Sequence, residues 1–390
     1  MISAMKRVAI LGSTGSIGTQ ALEVIRASGG TLRAAALCAK SRAELLLEQA
    51  AEFLPELVCV EDEAAARFLE GKLPRETALH CGADAGSVAA AYGNADSVVH
   101  GIGGFAGTAP LVAALRAGKR VCLANKESVV CAMPLVERAM LEGGGELLPV
   151  DSEQSALFQC LAAGRREDVK RLILTASGGP FRTYERERLS RVTPEEALRH
   201  PTWRMGVKIT LDSATLFNKG LEIIEAAHLF GFGADMIDVV IHPQSVVHSM
   251  VEFRDSSVLA QLSSPDMRLA IRYALTWPER TESRFGALDL TKLAGLTFEK
   301  PDGARFPALG LAYAALRAGG LAPCVYSAAN EAAGALFLER RVGFTDIPAL
   351  VEDALEHTPA GRADSFEAVL EADRRARARV AAKADIIRPR

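Results

Sequence analysis

Two carboxylates in the middle of the chain have the spacing of a metal-binding pair. Asp151 and Glu153 follow residues 146–150 (ELLPV), an apolar run that predicts a strand. Residues two positions apart in an extended segment point to the same side, so the two carboxylates are expected to converge. A hard divalent cation with oxygen ligands would relieve their repulsion. Because such a pair alone is more typical of a solvated turn, it needs support from other residues.

A third carboxylate belongs to a helical pattern further along the chain. Asn218, Glu222 and Glu225 recur at the spacing of one helix face. Gly220 lies inside this pattern and costs about 1 kcal/mol of helix stability relative to alanine, which suggests close approach by a ligand or another backbone. A polar stripe alone is usually a solvated helix face. Together with the earlier acidic pair, it favours a metal and phosphate site.

Two loop-forming stretches separate the acidic pair from the helical stripe, at residues 177–180 (SGGP) and 200–206 (HPTWRMG). Trp203 and Met205 on the second stretch are expected to form a lid over a ligand, although both would also suit ordinary packing. Residues 193–196 (TPEE) predict a capping box with proline at the first helical position, which starts a helix before the lid.

The elements that must position these residues begin with a nucleotide-binding pattern. A strand from Lys6 to Leu11 runs into the glycine turn 12–18 and then into a helix from Thr19 to Ala27. A dinucleotide fingerprint requires this order, because the glycines let backbone N–H groups reach a pyrophosphate. The spacing is G-x-x-G-x-x-G instead of G-x-G-x-x-G, so a plain β–α turn stays open as an alternative.

The end of the second strand favours NADP over NAD. NAD sites place an acid about 20 residues after the glycines, where it binds the ribose. Here the strand from Leu32 to Cys38 is followed by Lys40, Ser41 and Arg42, with no acid before Glu44. Basic and hydroxyl groups at this position suit a 2′-phosphate.

Further β–α units extend this region and bring a lysine to a strand end. The strand 97–100 precedes a second glycine cluster at 101–107, which is expected across the nucleotide crevice. The strand 120–124 leads directly to Asn125 and Lys126. Lys126 is expected near the nicotinamide or the substrate, and a surface salt bridge with the adjacent Glu127 is the simpler alternative.

The rest of the chain predicts a smaller sheet and a helical region. Residues 239–251 and 257–262 are β-rich and suggest a small sheet that carries a dimer edge. His248 lies in the first of these strands and could face the site, although a lone strand histidine is more often structural. From Phe306 onward the chain is alanine-rich and helix-periodic, which predicts a helical bundle that serves as structural support.

Composition indicates an ordinary globular protein of two or three domains. The chain has 390 residues, 49% of them apolar and 24% charged. A net charge of −3 argues against a nucleic-acid binder, so an anionic ligand would need local donors. Seven cysteines without any C-x-x-C pair are expected to be buried free thiols in a reducing compartment. No signal peptide or membrane-spanning run is recognised, so a cytoplasmic location is expected.

The chain resembles the 1-deoxy-D-xylulose 5-phosphate reductoisomerases in a series of motifs that keep the same order over essentially its whole length. These motifs are GSTGSIG at 12–18, NKES at 125–128, PVDSE at 149–153, SGGPF at 177–181, the run from 200 to 222, HPQSVVHSM at 242–250 and PDMR at 265–268.

This resemblance implies an activity and its cofactors. The family converts 1-deoxy-D-xylulose 5-phosphate into 2-C-methyl-D-erythritol 4-phosphate in non-mevalonate isoprenoid synthesis, using NADPH and Mg²⁺, Mn²⁺ or Co²⁺. The implied reaction rearranges the carbon skeleton by retro-aldol and aldol steps and then transfers hydride from NADPH. The expected partners are a sugar-phosphate substrate and a second copy of the chain in a homodimer, with no nucleic acid and no membrane.

The resemblance also implies roles for individual residues. The metal ligands would be Asp151, Glu153 and Glu222, and these three with Lys126 and His200 would be the catalytic residues. Met205 would close over the substrate, which would contact Lys126, Ser152, Glu153, Ser177, His200, Trp203, Ser213, Asn218, Lys219, Glu222 and His248. NADPH would contact Ser13, Thr14, Gly15, Ser16, Ile17, Lys40, Ser41, Arg42, Asn125, Lys126, Glu127, Gly206 and Met267.

The expected fold is α/β with three domains. A Rossmann-like NADP-binding domain is predicted over residues 1–150, and a central α/β catalytic domain over 151–285, with a lid at 199–207 and a dimer-forming sheet. A linker at 286–311 would lead to a C-terminal helical bundle at 312–390.

Two departures from the family and two competing functions remain. Many relatives have histidine where this chain has Gln154, and asparagine near the position of Ser41 and Arg42.

A metal-free NADP-dependent sugar-phosphate or semialdehyde oxidoreductase is the enzymatic alternative, but neither Cys122 nor Cys160 lies in a recognisable activating context for a semialdehyde dehydrogenase. An inactive NADP-binding regulator would be expected to have lost one metal carboxylate, and all three are present.

Overall fold

The computed structural model describes residues 5–199, 203, 205–358 and 361–387. The chain divides into two compact units. Unit 1 comprises Met1–Ser128, Pro134–Ser155 and Asp266–Gly286, and unit 2 comprises Val129–Met133, Ala156–Pro265 and Ala287–Arg390.

Unit 1 is built on a seven-stranded parallel sheet of order β4-β3-β2-β1-β5-β6-β7. Its strands are β1 (Lys6–Leu11), β2 (Leu32–Ala39), β3 (Leu57–Val60), β4 (Ala78–Cys81), β5 (Ser97–His100), β6 (Arg120–Leu123) and β7 (Glu146–Pro149). Strands β1, β3 and β5 are short and have no exposed position, as expected when helices cover both faces. The strand order reverses between β1 and β5, which is where open α/β sheets bind ligands.

The helices of unit 1 are α1 (Ser16–Arg26), α2 (Ala43–Phe53), α3 (Glu63–Leu69), α4 (Ala85–Ala90), α5 (Thr108–Arg116), α6 (Lys126–Gly143) and α12 (Met267–Thr276). Helix α1 begins at Ser16, three residues before the predicted start at Thr19. Helix α6 is interrupted at Ala132, two residues before Pro134, because proline cannot donate to the helix and crowds the preceding turn.

Unit 2 contains a four-stranded mixed sheet of order β11-β10-β8-β9. Its strands are β8 (Val169–Ala176), β9 (Ile237–Ile241), β10 (Val247–Phe253) and β11 (Val258–Leu262). Strand β10 is antiparallel to both neighbours, and β8 pairs with β9 in parallel. The helices that precede and follow β8 are α7 (Ser152–Leu161), which begins in unit 1, α8 (Arg186–Leu189), α9 (Pro194–Ala197), α10 (Val207–Thr215) and α11 (Phe217–Phe230).

The last four helices of unit 2 form the predicted bundle. They are α13 (Ala308–Ala318), α14 (Ala322–Leu338), α15 (Asp346–His357) and α16 (Phe366–Ala384). Tyr326 and Phe337 on α14 are among the largest fully buried side chains. Helix α14 is buried along most of its length, so it forms the centre of this region.

The structure confirms the α/β fold class, the small second sheet and the helical bundle. The capping box is also confirmed, since Thr193 and Glu196 exchange side-chain-to-backbone hydrogen bonds at the start of α9. The division into functional domains stays a prediction. Residues 266–285, which that division assigned to the catalytic domain, cluster with unit 1.

The interpretation of Gly220 as a point of ligand or backbone approach is wrong. A Cβ atom at Gly220 would lie 1.9 Å from the hydroxyl oxygen of Tyr326. The glycine is therefore needed because a buried side chain of the bundle packs against α11.

No helix within the described ranges is long and apolar enough to cross a membrane.

Candidate active site

The glycine turn after β1 forms a tight, uncapped entry to α1. Gly12 has a φ of +73°, and a Cβ atom there would lie 2.9 Å from the carbonyl oxygen of Gly101. Gly15 is the N-cap of α1 and offers no side-chain cap, so the first N–H groups of an eleven-residue helix keep their capacity for an anion. Ser13 and Thr14 are buried in the turn. These features fit a dinucleotide pyrophosphate.

The residues expected to read the 2′-phosphate lie at the exposed end of β2. Arg42 donates from Nη1 to the carbonyl oxygen of Thr14 at 2.9 Å, so this guanidinium also fixes the glycine turn. Lys40 is exposed and lies 3.7 Å from Glu61, a weak ion pair that leaves its ammonium available. Ser41 is exposed beside them. Three donors and no acid at the strand end agree with a preference for NADP.

The second glycine cluster, residues 101–107, is held by two buried polar side chains. Asn125 donates from Nδ2 to the carbonyl oxygens of Ile102 and Gly104 at 2.6 and 2.9 Å, and its Oδ1 accepts from Ser128 at the start of α6. His100, which precedes the cluster, lies with Nε2 2.8 Å from the carbonyl oxygen of Gly107. Burial lowers the pKa of His100.

Sequence reasoning missed His100. Its only signal was a histidine at a strand end directly before a glycine cluster.

Lys126 is the first residue of α6, and its ammonium contacts the carboxylate of Asp151. The lysine is 5% exposed. The surface location that the alternative with Glu127 assumed is therefore wrong, because the lysine is buried, and a carboxylate that contacts it follows the neighbouring strand β7. A buried ammonium beside a half-buried carboxylate forms a charged centre inside unit 1.

Asp151 and Glu153 are not in an extended segment, so the predicted strand alternation is wrong. Helix α7 begins at Ser152, and the carbonyl oxygen of Asp151 already accepts from the N–H of Ser155. Asp151 Oδ1 accepts from the N–H of Ser152 at 3.1 Å, while the hydroxyl of Ser152 donates to Glu153 Oε2 at 2.6 Å. Both carboxylates lie in the first turn of a helix, where the exposed N–H groups favour negative charge.

The predicted stripe on α11 is confirmed as a helix face, but it is not a solvated one. Within the stripe, Glu222 and Glu225 are 0% and 1% exposed and Asn218 is half-buried, and the adjacent Lys219 is 3% exposed. The Lys219 ammonium and the Asn218 side-chain amide both contact the Glu222 carboxylate. Burial of a carboxylate with a lysine and an amide donor is costly unless the pairing is good, and such clusters are typical of functional sites.

The remaining residues of unit 2 that were expected to contact the substrate lie on a loop, near a helix end and on a strand. Ser177 follows β8, and its Oγ accepts from the N–H of Gly179 at 3.3 Å. Ser213 is near the end of α10. His248 is buried on β10, with its ring centre 6.3 Å from that of Trp203.

Only part of the predicted lid can be located. Trp203 and Met205 are half-buried, and Gly206 is the N-cap of α10. His200, Pro201, Thr202 and Arg204 lie outside the described residues, so the expected role of His200 is not addressed by the structure.

Met267 starts α12 beside an ion-pair cluster that sequence reasoning missed. Arg268 binds Asp266 with both arms of its guanidinium and donates to Glu23 Oε2 on α1 at 2.7 Å. These contacts hold α12 on the helix that follows the glycine turn. Because Glu23 and Arg268 are far apart in the chain, no local pattern indicates their pairing.

The buried thiols do not supply a nucleophile. Burial raises the pKa of Cys122 to about 12 and that of Cys160 to about 11, so both stay protonated near neutral pH. All seven cysteines are free, and all but Cys81 are buried. This disfavours the semialdehyde dehydrogenase alternative.

The carboxylates expected to bind metal suit the expected divalent ions. Carboxylate oxygens are the ligands that Mg²⁺ and Mn²⁺ prefer, and Asp151, Glu153 and Glu222 are all present. The ammonium groups of Lys126 and Lys219 contact two of these carboxylates, Asp151 and Glu222.

Family models match most of the chain. Residues 8–133 match the model described as 1-deoxy-D-xylulose 5-phosphate reductoisomerase, and residues 147–230 match its C-terminal domain. Residues 262–379 match the model described as DXP reductoisomerase C-terminal domain.

Curated relatives carry the same family name over nearly their full length. A 1-deoxy-D-xylulose 5-phosphate reductoisomerase of Chlorobaculum tepidum is 52% identical over 374 residues, covering 96% of this chain and 98% of the relative. One from Xanthomonas oryzae pv. oryzae is 51% identical over 381 residues, covering 96% of both.

Solved structures of this family share the fold. The enzyme from Zymomonas mobilis in complex with NADPH is 45% identical, with a TM-score of 0.91 and coverage of 97% of this chain and 99% of that chain. A DOX-P reductoisomerase in complex with NADPH, fosmidomycin and magnesium is 38% identical, with a TM-score of 0.93 and coverage of 98% and 99%. The chain belongs to the 1-deoxy-D-xylulose 5-phosphate reductoisomerase family.

Proposed function

We propose that this chain converts 1-deoxy-D-xylulose 5-phosphate into 2-C-methyl-D-erythritol 4-phosphate with NADPH and a divalent metal ion, as a step of non-mevalonate isoprenoid synthesis. Membership of the family supports the reaction. The observation that carries the proposal is the presence of two lysine-balanced carboxylates, Lys126 with Asp151 and Lys219 with Glu222, at positions expected for metal ligands.

Asp151, Glu153 and Glu222 form the proposed metal site, with Mg²⁺ or Mn²⁺ as the ion and Co²⁺ as a further option. A bound ion spreads the negative charge that develops on substrate oxygens while carbon–carbon bonds break and re-form. Lys126 and Lys219 hold two of the carboxylates from within the protein. Because each lysine is buried beside its carboxylate, substitution of either one leaves that carboxylate without the neighbouring ammonium.

The substrate phosphate is assigned to Ser177, Ser213, Asn218 and Lys219, with His200 beside them. Lys219 is a buried point charge and the others are hydroxyl or amide donors, a combination that suits a phosphate dianion. Lys126, Ser152 and His248 would line the rest of the substrate. Trp203 and Met205 would close over it and exclude water from the charged centre.

NADPH is assigned to the glycine turn of unit 1 and to the residues that follow its strands. Bound NADPH supplies the hydride that reduces the rearranged aldehyde. The uncapped start of α1 supports a pyrophosphate site. The contacting residues would be Ser13, Thr14, Gly15, Ser16, Ile17, Lys40, Ser41, Arg42, Asn125, Lys126, Glu127, Gly206 and Met267.

A homodimer and a cytoplasmic location complete the proposal. Strand β11 is the edge of its sheet, and Val258, Leu259 and Leu262 on it are 48%, 39% and 37% exposed. Exposed apolar edge strands attract a second chain, which supports pairing of two copies at this edge. Seven free thiols support a reducing compartment.

Oxidation of NADPH by the purified protein tests the reaction. Turnover is expected with 1-deoxy-D-xylulose 5-phosphate and Mn²⁺, and should stop with chelator and return when Mn²⁺ is added in excess. The product should be identified by NMR as 2-C-methyl-D-erythritol 4-phosphate. Turnover that is insensitive to chelator would contradict the metal requirement and would favour a plain reductase.

A further inference from the structure

A buried hydrogen bond joins the C-terminal bundle to the helix that carries Ser213. Asn330 on α14 donates from Nδ2 to Asp212 Oδ1 on α10 at 2.8 Å, and the two residues are 1% and 3% exposed. Lys208, one turn earlier on α10, lies with Nζ 3.1 Å from Asp212 Oδ2. Asp212 directly precedes Ser213, so the bundle fixes the end of α10 at that point.

One turn before Asn330, Tyr326 packs against the neighbouring helix α11. Its ring centre lies 5.2 Å from that of Phe217, and its hydroxyl donates to the carbonyl oxygen of Ala308 at 3.1 Å. The hydroxyl oxygen occupies the space that a side chain at Gly220 would need. Tyr326 therefore sets how closely α11 approaches the bundle.

The two contacts lie on either side of the junction between α10 and α11. Leu216 alone separates the helices, and its φ of +63° places it in the left-handed region, which costs a non-glycine residue about 1–2 kcal/mol. Residues four apart on a helix share a face, so Asn330 and Tyr326 contact both arms of this junction from one side.

We propose that Asn330 and Tyr326 are positioning residues for the substrate phosphate. They fix the angle between α10 and α11, and thereby the position of Ser213 relative to Asn218 and Lys219. This inference rests on the proposed function, which assigns the last three residues to the phosphate. Several donors must meet one phosphate at hydrogen-bond distance together, so a small change in helix angle weakens binding.

Replacement of Asn330 by leucine tests the contact to α10. Asn330→Leu keeps a similar volume but leaves a buried carboxylate oxygen without its donor. The KM for 1-deoxy-D-xylulose 5-phosphate is expected to rise about tenfold, and the Ki of inorganic phosphate as a competitive inhibitor should rise in parallel. The Kd of NADPH should not change.

The adjacent residue gives a matched control. Glu331 pairs with Arg377 inside the bundle at 2.7 Å. Glu331→Gln should lower the melting temperature without raising the KM or the phosphate Ki. An equal rise of the KM in both variants would overturn the proposal, because it would show that general loosening of the bundle is sufficient.

A pair of substitutions tests the contact to α11. It also tests the positioning role if Asn330→Leu does not fold. Gly220→Ala places a methyl group against the Tyr326 hydroxyl and should raise the KM about tenfold. Adding Tyr326→Phe removes the clashing oxygen but leaves the ring carbon Cζ 2.9 Å from the added methyl group, so it should recover part of the KM and the phosphate Ki. Recovery of the melting temperature alone would overturn the proposal.

Lys219→Gln separates failure of this inference from failure of the proposed function. If Lys219→Gln leaves both the KM and the phosphate Ki unchanged, the phosphate assignment is wrong and the inference falls with it. If Lys219→Gln raises them while Asn330→Leu and Gly220→Ala do not, the phosphate assignment stands and the positioning role is wrong.

Discussion

The two lysine–carboxylate pairs have the same chemistry but different construction. Lys126 and Asp151 come from the ends of neighbouring strands, and their side chains are 6% and 14% exposed. Lys219 and Glu222 share one turn of α11, and their side chains are 4% and 1% exposed. A charge that keeps some contact with water tolerates loss of its partner, whereas a fully buried charge does not. We therefore expect Lys219 to contribute more than Lys126 to the stability of the fold.

The largest expected effect is that of Lys219→Met. Loss of the ammonium removes the cation that balances the buried Glu222 carboxylate, so the free energy of unfolding should fall by about 3–5 kcal/mol. The KM for 1-deoxy-D-xylulose 5-phosphate should also rise. Urea unfolding with and without Mn²⁺ measures the effect, and Mn²⁺ should return part of the stability if the ion binds the same carboxylate.

Lys170→Met is the control for this variant. Lys170 pairs with Glu252, which keeps a second partner in Arg171. The change should cost less than about 1 kcal/mol. Equal destabilisation by Lys219→Met and Lys170→Met would break the argument from burial.

Lys126→Met should abolish turnover but cost less stability than Lys219→Met. Asp151 keeps the N–H of Ser152 as a donor and is partly open to water, so a loss of about 1–2 kcal/mol is expected. The same urea titration measures it. If Lys126→Met and Lys219→Met lower the free energy of unfolding equally, access to water does not explain the difference between the two pairs.

Loss of a hydroxyl or amide donor should also lower the free energy of unfolding more at the buried carboxylate than at the half-buried one, although by less than loss of a lysine. Asn218→Leu removes a donor to buried Glu222 and should cost about 1.5–3 kcal/mol. Ser152→Ala removes a donor to half-buried Glu153 and should cost about 0.5–1 kcal/mol. Thermal unfolding of both variants without metal tests the order, and a reversed order would contradict it.

Changing the pH tests the effect of burial on His100, where loss of solvent is the largest cause of the lowered pKa. Burial lowers the pKa of His100, so the folded protein binds fewer protons there than the unfolded chain, whose histidine has a pKa of about 6.5. This contribution to stability is complete above that value and is lost as the pH falls toward the lowered pKa. Unfolding at pH 7.5 and 5.5 should show a smaller loss on acidification in His100→Gln than in the unchanged protein. Identical losses would contradict the role of burial.

Local patterns predicted the elements, and the contacts between distant elements had to come from the structure. The apolar runs of β1, β3 and β5 and the stripe on α11 were correct, because their periodicity reflects burial directly. The extended segment predicted through Asp151 and Glu153 was wrong: the carbonyl oxygen of Asp151 accepts the first hydrogen bond of α7, and its neighbours also suit the end of a strand. The pairing of Lys126 with Asp151 depends on β6 and β7 being adjacent, which no short window of sequence contains.

The most direct test of the central claim, a metal site that includes Glu222, is a comparison of turnover and cofactor binding in Glu222→Gln. Turnover and the binding of Mn²⁺, measured by calorimetry, should be lost, while the Kd of NADPH should change little. The change keeps the side-chain size, and its melting temperature serves as the control for folding. Undiminished turnover, or an equal loss of turnover and NADPH binding in a folded variant, would contradict the assignment of Glu222 as a metal ligand.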